Sequence, residues 1–209
     1  MENPQSNITD YYLTIDSPIS NEIVIKKSKF LAQCYPIQTK EDAEEILSKI
    51  RKEHYTANHN CFAYRTGLDD NNFRYSDDGE PSGTAGKPIL QAIDHYQYKN
   101  IIVIVTRYFG GIKLGVGPLM RAYYDSAISA LSIANPRKIY ITKLYKIIAD
   151  YSDITLLKRI FEIYAINYNE IYTNIVEFYP NVLISRVCEF ENEIIHKFNG
   201  QVHFEIIEK

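Results

Sequence analysis

The run Ile101-Ile102-Val103-Ile104-Val105-Thr106-Arg107-Tyr108-Phe109-Gly110-Gly111-Ile112-Lys113-Leu114-Gly115-Val116-Gly117-Pro118-Leu119-Met120-Arg121 decides how this chain folds. Ile101 to Thr106 is an uninterrupted run of strand length, the pattern of a strand buried on both faces and placed at the centre of a sheet. Pro118 falls where a first helical residue belongs, since its missing N–H is not needed there and its φ is already helical. Leu119, Ala122, Tyr123, Ser126, Ala127 and Ala130 then keep helical spacing to about Ile133. A buried strand, a Gly-rich loop and a helix therefore follow one another directly.

Toward the N-terminus, Ile23, Ile25 and the stretch Phe30 to Ile37 carry β-branched and aromatic residues around a polar turn, Lys26 to Lys29, which predicts a hairpin. Thr39 and Asp42 resemble a capping box. Ala43, Ile46, Leu47 and Ile50 put one apolar stripe on the helix that follows, and this helix covers a sheet. Asn60 to Arg65 reads as another strand. Residues 1–20 are polar, with Pro4 and Pro18, and read as a flexible lead-in.

Toward the C-terminus, Ala134-Asn135-Pro136-Arg137 ends the long helix, because proline bars its continuation. The boundary expected there divides the chain into an N-terminal domain, 21–136, and a C-terminal domain, 137–209. The second reads as strand (Ile139 to Ala149), helix capped by Asp153, strand (Ala165 to Phe178), a Tyr179-Pro180-Asn181 turn, strand (Val182 to Val187), helix (Glu189 to Phe198) stopped by Gly200, and strand (Gln201 to Ile207). That order is βαββαβ, the ferredoxin-like arrangement, and it makes the fold class α+β with two domains.

Composition narrows the function classes. The 209 residues are 45% hydrophobic and 23% charged, a globular balance that can build a packed core. With 23 Lys+Arg against 26 Asp+Glu, any affinity for nucleic acid or acidic lipid must come from a local patch. Cys34, Cys61 and Cys188 form neither a disulfide ladder nor a metal knuckle, which fits a reducing interior. No export signal or membrane anchor is visible, and the expected location is cytoplasmic.

Two segments could carry chemistry. The first, Tyr75 to Pro88, holds Asp77, Asp78, Glu80, Ser82, Thr84 and Lys87 among three glycines. It fails as a P-loop, because Pro81 stands five before Gly86 and Pro88 replaces the hydroxyl that would hold magnesium. Asp77, Asp78 and Glu80 could offer oxygens to a hard cation or to some other ligand or partner, but an Asp/Gly turn followed by a capped helix is the plainer reading of them. The second segment is Thr106 to Arg121. Gly115-Val116-Gly117 starts a dinucleotide fingerprint, but Met120 stands where its third glycine belongs, so nicotinamide and flavin cofactors are rejected.

What survives is more general. Gly110, Gly111, Gly115 and Gly117 let backbone N–H groups approach an anion, and the first helical turn adds unpaired donors. Between Asp94 and Asp125 the chain has Lys99, Arg107, Lys113 and Arg121 and not one carboxylate. Tyr108, Phe109 and Tyr123 lie among these cations, and aromatic faces beside Arg and Lys suit a stacked single strand. Against this stands a plain strand-to-helix turn with core aromatics. His59 and Cys61 share a strand face but lack a third group to orient a nucleophilic pair, and no hydrolase elbow or metalloprotease pair occurs.

Three segments in this order resemble the YigZ/IMPACT family: His59-Asn60-Cys61-Phe62-Ala63-Tyr64-Arg65, Asp77-Asp78-Gly79-Glu80-Pro81-Ser82-Gly83-Thr84-Ala85-Gly86-Lys87-Pro88, and Val105-Thr106-Arg107-Tyr108-Phe109-Gly110-Gly111-Ile112-Lys113-Leu114-Gly115. The resemblance covers Ser20 to Leu131 closely and the C-terminal unit more loosely. It implies an N-terminal α/β sandwich like the second domain of a small-subunit ribosomal protein and domain IV of elongation factor G. It also implies a C-terminal unit like the last domain of that factor. Eukaryotic members restrain an initiation-factor kinase by occupying its activator. They do so through an extra N-terminal RWD domain that the short segment ahead of the shared region leaves no room for, so that mechanism is not carried over. In this chain Pro118 replaces the family's next glycine after Gly117.

The expectation is a non-catalytic binding protein linked to translation, without cofactor, metal or catalytic residue. RNA or another phosphate-bearing ligand would be held by Arg107, Gly110, Gly111, Lys113, Gly115, Gly117 and Arg121. The ribosome or a translation-associated protein would be its partner. Asp77, Asp78, Glu80, Ser82, Thr84 and Lys87 would border the site. The alternative is a metal-assisted enzyme acting on a phosphorylated small molecule, with Asp77, Asp78 and Glu80 as ligands.

Overall fold

In a computed structural model the described residues are 9–207. The first strand, Tyr11–Ile15 (β1), is followed by a hairpin of Ile19–Ile25 (β2) and Ser28–Pro36 (β3), then helix Lys40–Glu53 (α1). Strands His59–Arg65 (β4) and Phe73–Ser76 (β5) lead to helix Gly86–His95 (α2), strand Ile101–Tyr108 (β6) and helix Val116–Leu131 (α3). The chain divides into two compact units, Leu13–Lys138 and a second formed from Ile139 onward together with the described residues before Leu13.

The larger unit is built on one antiparallel sheet ordered β2-β3-β6-β4-β5. β6 is central, paired with β3 on one side and β4 on the other, and Ile101, Ile102, Val103, Ile104 and Val105 are fully buried. Alternation along the strands divides them between two cores. Val103 and Val105, with Phe30, Ala32, Cys61 and Ala63, meet α2 and α3 on one face. Ile102 and Ile104, with Phe62 and Tyr64, meet Ala43, Leu47 and Ile50 of α1 on the other. The Thr39–Asp42 capping box closes α1 with both reciprocal bonds.

Strand Pro136–Tyr140 (β7) pairs with β1. The second unit then runs Thr142–Ala149 (β8), Ile154–Tyr164 (α4), Ala165–Tyr172 (β9), Val176–Leu183 (β10), Val187–Phe198 (α5) and His203–Ile207 (β11). Its antiparallel sheet has the order β11-β8-β10-β9, and its elements follow one another as βαββαβ. Tyr145, Ile147, Phe178, Phe161 and Phe190 form its core.

The structure corrects four local readings. Part of the segment read as a loose lead-in is ordered structure: β1 buries Thr14 and Ile15, Lys99 N–H donates to the Leu13 carbonyl at 2.8 Å, and Thr14 Oγ1 to that of Asn100 at 3.1 Å. The partners lie more than eighty residues away, where local periodicity carries no signal. Residues 1–8 lie outside the described residues. The stretch Ile139 to Ala149 is two strands, β7 and β8, rather than one. The hairpin turn in the second unit falls at residues 173–175, and Tyr179-Pro180-Asn181 is the middle of β10. Proline is tolerated there because the ladder with β8 lapses between Phe178 and Asn181 and a register shift follows at Asn181/Val182. Finally, α3 starts at Val116 with Gly115 as N-cap, so Pro118 is its third residue, still within the turn whose N–H groups have no helical partner.

Candidate functional site

The acidic segment between β5 and α2 is a hub of internal bonds. The Asp77 carboxylate accepts backbone N–H bonds from Ala85 and Gly86 on Oδ1, at 2.9 and 2.8 Å, and from Gly83 on Oδ2 at 2.8 Å. It therefore caps α2, whose own N-cap, Ala85, has no side-chain acceptor. Burial works to raise the Asp77 pKa, but these three bonds to the carboxylate outweigh it and hold the group below the usual range. Gly86 is required here, since a Cβ would stand 2.8 Å from the Ser76 backbone. Asp78, at φ 44°, accepts from Asn60 N–H at 2.7 Å and from Arg51 Nη2 at 2.7 Å. Thr84 Oγ1 donates to the Pro81 carbonyl at 2.6 Å, while Ser82 and Lys87 are exposed.

Glu80 turns inward. Its Oε1 accepts from Arg107 Nη1 at 2.5 Å and from the Tyr123 hydroxyl at 2.7 Å, and its Oε2 lies 3.7 Å from His59 Nε2. The Arg107 guanidinium is flanked by the rings of Phe30 and Phe109, at 5.3 and 5.5 Å. Arg107 is 5% exposed, and its Nε has no hydrogen-bond partner. The Cys61 thiol lies 3.0 Å from the Asp77 carbonyl and 3.4 Å from the Tyr123 hydroxyl. Burial drives the Cys61 thiol and the Tyr123 hydroxyl far above their ordinary pKa, so Cys61 stays protonated and works against nucleophilic chemistry.

The structure separates the cations that the sequence grouped together. Arg107, expected to face a phosphate, is buried against Glu80: a strand that packs on both faces carries its last side chains inward too. Lys99 is paired with Asp70. Lys113 and Arg121 are exposed and make no ion pair among the described residues. The carboxylates of the metal-assisted alternative are engaged by backbone N–H groups, two guanidinium groups and a hydroxyl. Among the described residues no group of three or more His, Cys, Asp or Glu is arranged to hold a metal ion.

Beyond Arg107 the chain leaves the sheet at the end where the β2–β3 turn also lies. Phe109 N–H donates to Asn58 Oδ1 at 2.8 Å and Gly110 N–H to Ser28 Oγ at 3.1 Å. A Cβ on Gly110 would run into the Lys27 backbone, so glycine alone lets the turn seat on the loop. This contact brings Lys26 and Lys27 to the loop. Both are exposed, hold positive φ (45° and 67°), and make no ion pair among the described residues. Sequence reasoning took this stretch as a turn only. Gly111 and Gly115 hold φ of 83° and 81°, and α3 begins without a side-chain cap or an acid in its first turn. Phe109, 44% exposed, stands beside this basic end. Gly117 has open space around it and answers no steric need.

The chain matches the Impact N-terminal domain over residues 26–131, a span that includes both loops and the Lys26–Lys27 turn. It is 42% identical over 149 residues to the IMPACT family member YvyE of Bacillus subtilis, covering 71% of this chain and 67% of that one. An IMPACT family member of Haemophilus influenzae is 35% identical over 205 residues, 94% of this chain and 97% of that protein. A crystal structure described only as that of a hypothetical protein superposes with a TM-score of 0.67 at 29% identity, over 97% of this chain and all of the other. With a domain match over half its length and a relative aligned over 94% of it, the chain belongs to the IMPACT family.

Proposed function

We propose that this protein is a non-catalytic binding protein that takes RNA, or another phosphate-bearing ligand, on the basic end of its larger unit and works in the cytoplasm beside the translation machinery. The observation that carries the reading is the seating of the Lys26–Lys27 turn on Gly110. It joins two unpaired lysines to the glycine loop that bears Lys113 and leads into the uncapped start of α3, with Arg121 one turn further on. Exposed N–H groups, a helix N-terminus and free cations all favour an anion, and Phe109 offers a ring to an unstacked base. Arg107 has a positioning role here: clamped by Glu80, its guanidinium lies against the Phe109 ring. The link to translation rests on family membership, and a ribosome or translation-associated protein is the partner it implies.

Salt titration of single-stranded RNA binding tests the reading. Four phosphate contacts give a log–log slope of about −3, and each cation removed flattens it by roughly 0.7. Alanine at Lys26, Lys27, Lys113 and Arg121 together abolishes the slope. A quadruple variant that binds RNA like the parent overturns the proposal.

A further inference from the structure

A groove of about 580 Å³ lies on the α1 face of the larger sheet. It exists because a single helix lies over that face, so the edge strand β5 and the flank of α1 form two walls that do not meet above β4. The size is that of a small-molecule site, roughly 300–1,000 Å³. Its floor is apolar: Leu47 of α1 with Phe62 and Tyr64 of β4, whose rings lie parallel within 9°. Its walls carry Arg51, Lys52 and Arg74 against a single carboxylate, Glu44.

The polar groups are oriented in advance. Arg74 is held by Glu44 at 3.3 Å and Arg51 by Asp78 at 2.7 Å, each through one terminal nitrogen, which leaves the other guanidinium donors uncommitted. Lys52 has no ion-pair partner among the described residues. Ser76 Oγ accepts the Asp78 N–H, and its own O–H makes no bond among the described residues. Glu44 and Lys52 stand eight residues apart on α1, about 12 Å along the axis. One end of the groove therefore gathers Arg51, Lys52 and Ser76, an apolar floor lies between, and Glu44 with Arg74 closes the other end. Tyr55, 82% exposed, stands at the rim.

We propose that this groove binds a nucleoside monophosphate. The phosphoryl group takes the donors of Arg51, Lys52 and Ser76, the base lies on the apolar floor beneath Tyr55, and Glu44 accepts from ribose hydroxyls or an exocyclic amine. An inorganic anion would leave the floor unused, and an uncharged ring would leave the cations unused. The site shares no residue with the basic end, so each can fail alone.

Calorimetric titration of the full-length chain with AMP, GMP, CMP and UMP tests it, with inorganic phosphate, adenosine and phosphotyrosine as comparison probes. At least one mononucleotide is expected to saturate a single site and to bind tenfold or more tighter than phosphate, adenosine or phosphotyrosine. Lys52→Ala removes a charge-assisted donor to the phosphoryl group and weakens that mononucleotide about tenfold or more. Ser48→Trp fills the groove from an exposed helix position and abolishes binding without touching the core, so a folding defect in one variant does not decide the outcome. The quadruple alanine variant of the basic end keeps mononucleotide affinity unchanged. The proposal is overturned if no mononucleotide saturates the chain, if phosphotyrosine or phosphate binds equally well, or if Ser48→Trp leaves binding intact.

Discussion

Replacing Arg107 by Met leaves the Glu80 carboxylate buried with only the Tyr123 hydroxyl and the His59 ring for company. The two side chains of the pair are 6% and 5% exposed. At charge centres ~4 Å apart and an effective dielectric constant near 20, the pair attracts by about 4 kcal/mol. Removing one member of such a pair costs roughly 3–5 kcal/mol, because the other charge stays behind without its counterion. With a urea dependence of about 2 kcal/mol/M, the unfolding midpoint falls by about 2 M. The chain has no tryptophan, so far-UV circular dichroism and tyrosine fluorescence follow the transition. The double variant Arg107→Met/Glu80→Gln removes both charges at similar volume and recovers all but about 1–2 kcal/mol, a coupling of the size expected for residues in contact. If Arg107→Met costs less than about 1 kcal/mol while RNA affinity drops sharply, Arg107 faces solvent after all and the burial argument fails.

Two further outcomes follow from the same region. Because the folded pKa of Asp77 is depressed, its stabilisation is complete above the ordinary carboxylate value and is lost as pH falls through the folded one. Asp77→Ala is therefore expected to cost about 1–2 kcal/mol at neutral pH, discounted for partial exposure, and progressively less in acid; urea midpoints with an unchanged gap at pH 7 and pH 3 would refute this. Burial pushes the Cys34 thiol up to about 12 and Cys61 higher still, whereas Cys188 is exposed. A thiol reagent should label Cys188 alone in the folded chain and all of Cys34, Cys61 and Cys188 in urea, and rapid labelling of Cys61 under native conditions would contradict its burial.

The helices and central strands were legible because their signals are local. The stripe on α1, the apolar run of β6 and the spacing along α3 each reflect a period that one face of an element imposes. The strand at Phe73–Ser76 was not legible: its four residues sit at a sheet edge, and Phe73, Arg74 and Tyr75 are all exposed. The site was harder. A glycine loop opening into a helix can be read in order, but the partner of Arg107 stands 27 residues earlier, and the Lys26–Lys27 turn reaches Gly110 only through the β3–β6 ladder. Sequence shows which side chains carry charge. Pairing across the sheet decides which of them remain free.

The missing side chain at position 110 also separates geometry from charge. Because the hairpin tip rests directly on bare backbone, a single added methyl would pry the tip away while every lysine and arginine stayed in the chain. Members of a lineage could thus lose the grip of this surface, or regain it, with net charge, isoelectric point and solubility all held constant. Surveys of electrostatic composition would miss the event.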